Sequence, residues 1–242
     1  MKNIILIGYG YWGKILANQL NITKGINFIG VQDNNNNVKK EFIKKFPKKK
    51  FFKNLEEVIK VRNEIDGAVV ATSFKSLYKV TKNLLSNKIH CLVEKPVSQS
   101  IKLIQNLKKI SKENRVVCLP GYIFLHNNHI QHIKEKILEK KILGKIRIIT
   151  FERTNLGPIR EDLNSIWDLA SHDMSILKYF FKDDIKIENK FSKDFLKKKV
   201  SDFAVINFSI KKKIYGFIHC SWLNPKKERR ITIVGDKKML VW

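Results

Sequence analysis

Six residues constrain this chain more than any others: Gly8-Tyr9-Gly10-Tyr11-Trp12-Gly13 follow directly on the apolar run 4–7. After them Trp12, Ile15, Leu16 and Leu20 recur at helical spacing. The segment therefore reads as strand, turn and helix, with glycine at the first, third and sixth places of the turn. The first glycine permits a tight turn, the second lets another group approach the backbone, and the third allows helix and strand to pack closely. Free N–H groups and the positive end of the helix dipole then face outward, a setting that suits phosphate. A plain structural turn would show the same three glycines, so the neighbouring residues must carry the rest of the argument.

The first half of the chain alternates short Ile/Val-rich runs with helical patterns. Residues 3–7, 28–32, 67–71, 89–94 and 115–119 read as strands, nearly continuous in apolar character, as parallel strands covered on both faces are. Between them Leu77, Val80, Leu84 and Leu85, then Ile101, Ile104, Leu107 and Ile110, mark helices. That alternation predicts an α/β fold, a doubly wound parallel sheet of the Rossmann kind, over residues 1–120. From Pro120-Gly121 the rhythm changes. A helix over 128–140, a strand over 145–153, a polar loop at Gly157-Pro158 and a helix from 165 or 166 to 181 are expected. Alternating runs at 200–210, 214–223 and 230–234 then read as adjacent antiparallel strands with one covered face. Residues 121–242 are thus expected to form an α+β domain with an open, mainly antiparallel sheet. Residues 34–37 and 48–50 read as solvated loops. The last two residues, Val241-Trp242, fall in or just after a strand, which predicts an edge that a partner subunit covers or a shortened domain.

Charge suggests a partner at first sight, with 48 basic against 22 acidic residues and a net charge of +26. Arginine, however, stands only at 62, 115, 147, 153, 160, 229 and 230, so 41 of the basic residues are lysine. Lys, Ile and Asn share A/T-rich codons, and biased genome composition explains the excess without a ligand. Readers of nucleic acid favour arginine for bidentate contacts, so a specific nucleic-acid partner is not expected. No apolar run approaches the roughly 20 residues of a membrane span, nor does the start resemble a secretory signal. Cys91, Cys118 and Cys220 are few and widely spaced, as reduced thiols in a cytoplasmic protein would be.

Three further places carry chemistry. Asp33 lies 20 residues after Gly13, at a strand end, where a carboxylate accepts hydrogen bonds from ribose hydroxyls and repels a 2′-phosphate. It favours NAD over NADP; an ordinary turn aspartate is the alternative. Glu94-Lys95-Pro96 closes the strand 89–94, and the carboxyl ends of strands are where open α/β sheets bind ligands. Spacing alone leaves Lys95 as either a catalytic or a surface lysine. Asp168 and His172 stand four apart on an expected helix, where a carboxylate can orient an imidazole that takes up a proton near neutral pH. A helix pair or half a metal site would look the same. The remaining histidines, 90, 126, 129, 132 and 219, lack ligand spacing, so no metal is expected.

Together these residues resemble the glucose-fructose oxidoreductase / inositol dehydrogenase family, often written Gfo/Idh/MocA. The resemblance runs over residues 3–242 and rests on the glycine turn, on Gly67-Ala68-Val69-Val70-Ala71-Thr72 and on Val93-Glu94-Lys95-Pro96. It continues through Asn155-Leu156-Gly157, Arg160, Asp162 and Asn164 to Trp167-Asp168-Leu169-Ala170-Ser171-His172-Asp173, a block similar to members acting at the 3-hydroxyl of nucleotide-linked N-acetyl sugars or uronates. The resemblance implies that Gly8, Gly10, Tyr11, Trp12, Gly13, Asp33, Thr72, Ser73, Glu94, Lys95 and Pro96 bind NAD. It implies that Lys95 touches both the nicotinamide ribose and the reacting hydroxyl, that Asp168 holds the sugar, and that His172 is the general base. Tyr122 and Asn127 would line the substrate side, and Arg160 and Asn164 are candidates for a substrate phosphate or carboxylate. The chain departs from the family at Ser73, where proline is usual, at Tyr78, often histidine, and in its shorter second domain. The expected activity is hydride transfer from a sugar secondary alcohol, a UDP-linked N-acetyl sugar or uronate, to the nicotinamide, by a homodimer or homotetramer. A catalytically inactive or partner-dependent dinucleotide-binding subunit is the alternative.

Overall fold

In the computed structural model, which describes residues 1–157 and 162–242, the apolar runs of the first half become strands of one parallel sheet. The chain divides into two units, Met1–Gly121 and Tyr122–Trp242. In the first, β1 (Lys2–Ile7), β2 (Ile26–Gln32), β3 (Lys50–Phe52), β4 (Gly67–Val70), β5 (His90–Val93) and β6 (Cys118–Pro120) lie in the order β3-β2-β1-β4-β5-β6. Every pairing is parallel. The helices are α1 (Tyr11–Ile22), α2 (Asn37–Lys45), α3 (Leu55–Lys60), α4 (Phe74–Ser86) and α5 (Ile101–Glu113). The chain starts in the middle of the sheet, winds to one edge, and returns to lay β4 against β1. The order reverses between β1 and β4, and there the carboxyl ends open a crevice for a ligand.

Alternate side chains of the central strands explain the two-sided cover. Ile5, Ile7, Val70 and Val93 pack on Leu77, Leu84, Leu85 and Leu107 of α4 and α5. Leu6, Val31 and Val69 turn the other way, toward Ala17, Leu20, Phe42 and Phe46. Two local expectations need correction. Residues 48–50 are not all loop, because Lys50 opens the edge strand β3; its lysines hid it, and edge strands tolerate lysine. Likewise Asn37 begins α2 instead of ending a loop. That helix anchors through Phe42, whose ring lies 5.1 Å from Tyr9, 5.3 Å from Phe46 and 6.0 Å from Phe51.

The second unit carries α6 (Asn128–His132), β7 (Ile146–Thr154), α7 (Ser171–Phe180), β8 (Ile185–Lys193), β9 (Phe203–Ile210), β10 (Ile214–Ser221), β11 (Glu228–Gly235) and β12 (Met239–Val241). Its sheet runs β12-β11-β7-β10-β9-β8, antiparallel except for the parallel pair β7–β10. The mainly antiparallel open sheet is therefore present, with the parallel pair and β8 as additions to the expected pattern. Strand β8 escaped the sequence reading because most of its nine residues are exposed and four of them are charged. Both expected helices also differ from regular ones: α6 passes into a π-helical turn at Ile133–Leu138, and a π-helical turn at Ile166–Ala170 leads into α7. One sheet face forms the core, with Ile149, Phe151, Ile218 and Ile231 against Leu169, Ile176, Leu177 and Phe180. On the other face Ile148, Phe191, Tyr215 and Phe217 are exposed.

Replacing Phe42 by alanine removes the centre of the aromatic cluster, and the chain should lose about 3–5 kcal/mol of stability, read from denaturant unfolding.

Candidate active site

The glycine turn is shaped by contacts that a single methyl group would break. A Cβ on Gly13 would stand 2.1 Å from the carbonyl oxygen of Gly8, and one on Gly8, at φ +98°, 2.5 Å from that of Ala71. Here glycine is required by close packing. At Gly10 a Cβ would meet nothing within 4 Å. That opening lies at the start of α1, whose first-turn N–H groups have no carbonyl of their own helix to bond. Such a cradle fits a pyrophosphate. Beside it a hollow of about 250 Å³ is lined by Gly10, Asp33, Asn34, Leu55, Thr72 and Val80, a size and mix that suit an adenosine moiety.

Asp33 takes the turn role that the sequence left as one alternative. Its Oδ2 accepts the Tyr9 N–H at 2.7 Å and its Oδ1 the Asn35 N–H at 2.8 Å, so it braces the turn. Each carboxylate oxygen has a second lone pair, which leaves capacity for ribose hydroxyls. Ser73 precedes the first turn of α4 and its hydroxyl lies 3.3 Å from that of Ser76. At the end of β5 the Trp12 indole donates to Glu94 Oε1 at 2.6 Å, and the Lys95 N–H donates to Oε2 at 3.3 Å. Glu94 thereby links the first turn of α1 to the backbone of Lys95. Burial pushes the Glu94 carboxyl up from its ordinary pKa, while the bonds from Trp12 and Lys95 pull it down. The Lys95–Pro96 peptide is cis.

In the second unit the π-helical turn and α7 bear Asp168 and His172. Such turns occur often at functional sites because they re-aim a side chain without ending the helix. Trp222 Nε1 donates to Asp168 Oδ2 at 3.3 Å. His172 is only 8% exposed, and its ring meets Phe124 at 5.0 Å and Tyr122 at 6.5 Å, both edge-on. Asn127 and Asn164 prove to be helix caps. Asn127 Oδ1 accepts from His129 and Ile130 N–H groups, and Asn164 Oδ1 from Trp167 N–H. Arg160 lies outside the described residues.

Sequence reasoning missed a buried ion pair. Arg153 on β7 and Asp173 on α7, 2% and 1% exposed, are bonded at 2.8 Å from Nε to Oδ1 and 3.0 Å from Nε to Oδ2. Arg229 of β11 lies nearby, bonded to Thr154 O and Asn155 Oδ1. Residue type alone did not mark the pair, since Arg62, Arg115 and Arg147 are exposed; what distinguishes Arg153 is the planar fork it offers to a carboxylate. Among the described residues no group of three His, Cys, Asp or Glu side chains could hold a metal ion, and no helix is long and apolar enough to cross a membrane.

A parallel sheet with this glycine cradle is the arrangement of a dinucleotide-binding domain. Residues 2–122 match the GFO/IDH/MocA oxidoreductase family with its NAD-binding Rossmann fold, and residues 130–241 match the GFO/IDH/MocA C-terminal domain. The chain belongs to that family, and NAD is its cofactor. It is 25% identical to glucose-6-phosphate 3-dehydrogenase of Bacillus subtilis (strain 168) over 260 residues, which cover 98% of this chain and 73% of the relative. Among solved structures it is similar to GenD2 from gentamicin A biosynthesis in complex with NAD, with a TM-score of 0.92 and 18% identity, covering 100% of this chain and 72% of that one. It is also similar to UDP-N-acetylglucosamine 3-dehydrogenase GnnA from Acidithiobacillus ferrooxidans, with a TM-score of 0.80 and 19% identity, covering 99% of this chain and 75% of that one.

The glycine geometry separates two kinds of loss. Gly10→Ala should weaken NADH binding at least about tenfold, read by NADH fluorescence, with the melting temperature near that of the parent. Gly13→Ala should lower both, because its methyl group meets backbone.

Proposed function

We propose that this chain oxidises a secondary alcohol of a sugar, at the 3-position of a nucleotide-linked N-acetyl sugar or uronate, with NAD as hydride acceptor. The observation that carries the reading is the placement of His172: nearly enclosed, flanked by Tyr122 and Phe124, and followed by a carboxylate paired with arginine. An enclosed imidazole with fixed neighbours suits proton transfer better than a solvated one. NAD, held along Gly8–Gly13, Asp33 and Glu94, supplies the acceptor for the hydride. His172 takes the hydroxyl proton as the C–H bond breaks, so that one hydride and one proton leave and a ketone remains. Lys95 stabilises the alkoxide that develops between these events. Asp168, fixed by the Trp222 indole, holds a sugar hydroxyl, and the amides of Asn127 and Asn164 bind further polar groups.

Two considerations support the finer substrate. The Bacillus relative and the Acidithiobacillus structure are both named as 3-dehydrogenases, of glucose 6-phosphate and of UDP-N-acetylglucosamine. A hollow of about 630 Å³ on the neighbouring face of α7, lined by Tyr122, Leu125, Trp167, Met174, Tyr179 and Ile206, is almost wholly apolar. A free polyol gains little from such a wall, whereas a planar nucleobase gains a large contact area. In this reading the second unit binds the sugar and pairs with a second copy through the exposed face around Ile148, Tyr215 and Phe217. The three free cysteines suit a cytoplasmic setting.

In Lys95→Ala and His172→Ala turnover of UDP-N-acetylglucosamine should fall by about 10²–10⁴, with NADH affinity kept within about twofold in His172→Ala. Near-parental turnover in both variants would remove the assignment; binding of NADH without oxidation of any UDP-sugar, sugar phosphate or polyol by the parent would favour an inactive or partner-dependent subunit. Phe217→Glu combined with Ile148→Glu should convert an oligomer into a monomer in sedimentation analysis, with NADH affinity retained.

A further inference from the structure

Burial of the Arg153–Asp173 pair is not explained by stability. Two charges taken out of water recover their desolvation cost only with excellent geometry, and well-packed apolar residues would often serve as well. The geometry here is bidentate, and its surroundings point one way. Asp173 follows His172 in the chain. The Arg153 guanidinium lies 4.3 Å from the centre of the Phe124 ring, and the same ring meets the His172 imidazole at 5.0 Å and 74°. Ser175 Oγ donates to the His172 carbonyl at 2.6 Å, which fixes the backbone beneath the ring. The imidazole is therefore held from its own helix through Asp173 and from β7 through Arg153 and Phe124.

We infer that Arg153 and Asp173 are the positioning residues of His172: the pair fixes the plane of the imidazole through Phe124 and balances the charge around it. The inference rests on the reading of His172 as the base. Among the described residues of this unit, the Tyr122 ring lies 6.5 Å from the imidazole, Arg153 reaches it through Phe124, Asp173 adjoins it in the chain and Asp168 stands four residues before it on the π-helical turn. Arg229 feels Arg153, Asp173 and Asp168 together, which places these four charges in one cluster. Burial pushes the Asp173 carboxyl up, and Arg153 opposes that shift. Neutralising Asp173 therefore leaves the Arg153 charge without its partner, whereas removing Arg153 drives the buried Asp173 carboxyl further up and toward its neutral form.

The test follows the imidazole directly, with no substrate needed. Protein labelled with [13Cε1]-histidine gives six imidazole signals at most, and the one lost in His172→Asn is assigned. Asp173→Asn should lower the His172 titration midpoint by about one pH unit, and Arg153→Met should leave it nearly unmoved because the buried Asp173 carboxyl then takes up a proton, with the double variant near the parent. An unmoved or raised midpoint in Asp173→Asn overturns the inference. Arg153→Lys, which keeps the charge and the fold but loses the fork, should hold the midpoint near the parent while kcat on UDP-N-acetylglucosamine falls about 10- to 100-fold at little-changed KM and NADH affinity. Unchanged kcat in that variant also overturns it. Full turnover in His172→Ala would instead remove the base assignment, and the imidazole titration would still report whether the pair governs the ring.

Discussion

The approach of α1 to β1 sets the cofactor half of the protein. Its closest point is the 2.1 Å that a methyl group on Gly13 would leave to the Gly8 carbonyl. Because glycine removes that obstacle, the helix start comes down over the strand end, and its N–H groups point where phosphates arrive. Once that angle is set, the Tyr9 N–H falls within 2.7 Å of Asp33 and the Trp12 indole within 2.6 Å of Glu94. Two carboxylates at the ends of two different strands are thereby tied to one six-residue turn. The turn is more than a phosphate cradle; it is the joint that holds the ends of β2 and β5 in place.

How much could be read beforehand follows from how each feature is encoded. The parallel sheet, the dinucleotide cradle and the family were legible because steric needs leave glycines and apolar runs at fixed intervals. Strands β3 and β8 were not, since an edge strand needs few apolar residues and both are masked by lysine. The π-helical turn before α7 was also hidden. Asp168 and His172 stand four apart, which in an α-helix means one shared face, and nothing in the residue types announces the wider turn. Asn127 and Asn164 show a different limit. Their capping bonds and a ligand-binding role use different atoms of one amide, so sequence could propose the second without revealing the first.

The buried ion pair was hidden for a reason peculiar to this composition. Lysine is so common that positive charge carries almost no information along the chain, and the arginines were read as a count instead of as places. Yet lysine cannot reproduce a bidentate contact to a carboxylate while stacking on an aromatic ring. Arg153 does both, on Asp173 and on Phe124, and Arg229 holds two oxygens at the end of the same strand. Arg62, Arg115 and Arg147, by contrast, are exposed, so arginine alone does not report geometry.

The same reasoning applies, inverted, to the acidic residues. Against 48 basic side chains the chain has 22 acidic ones, and most of those in ion pairs meet lysine at the surface, where such pairs contribute little. The carboxylates of the candidate site are held by stiffer donors: backbone N–H groups for Asp33, an indole and a backbone N–H for Glu94, an indole for Asp168, a guanidinium for Asp173. A lysine could reach each of these oxygens, but its four-carbon stem would let the carboxylate wander, and ordering it would cost rotamer entropy. Rigid donors avoid both penalties. The remaining lysines contribute a diffuse positive field, which attracts anions in general without fixing any of them. Attraction and placement are thus assigned to different residues, and only the second depends on the identity of individual side chains.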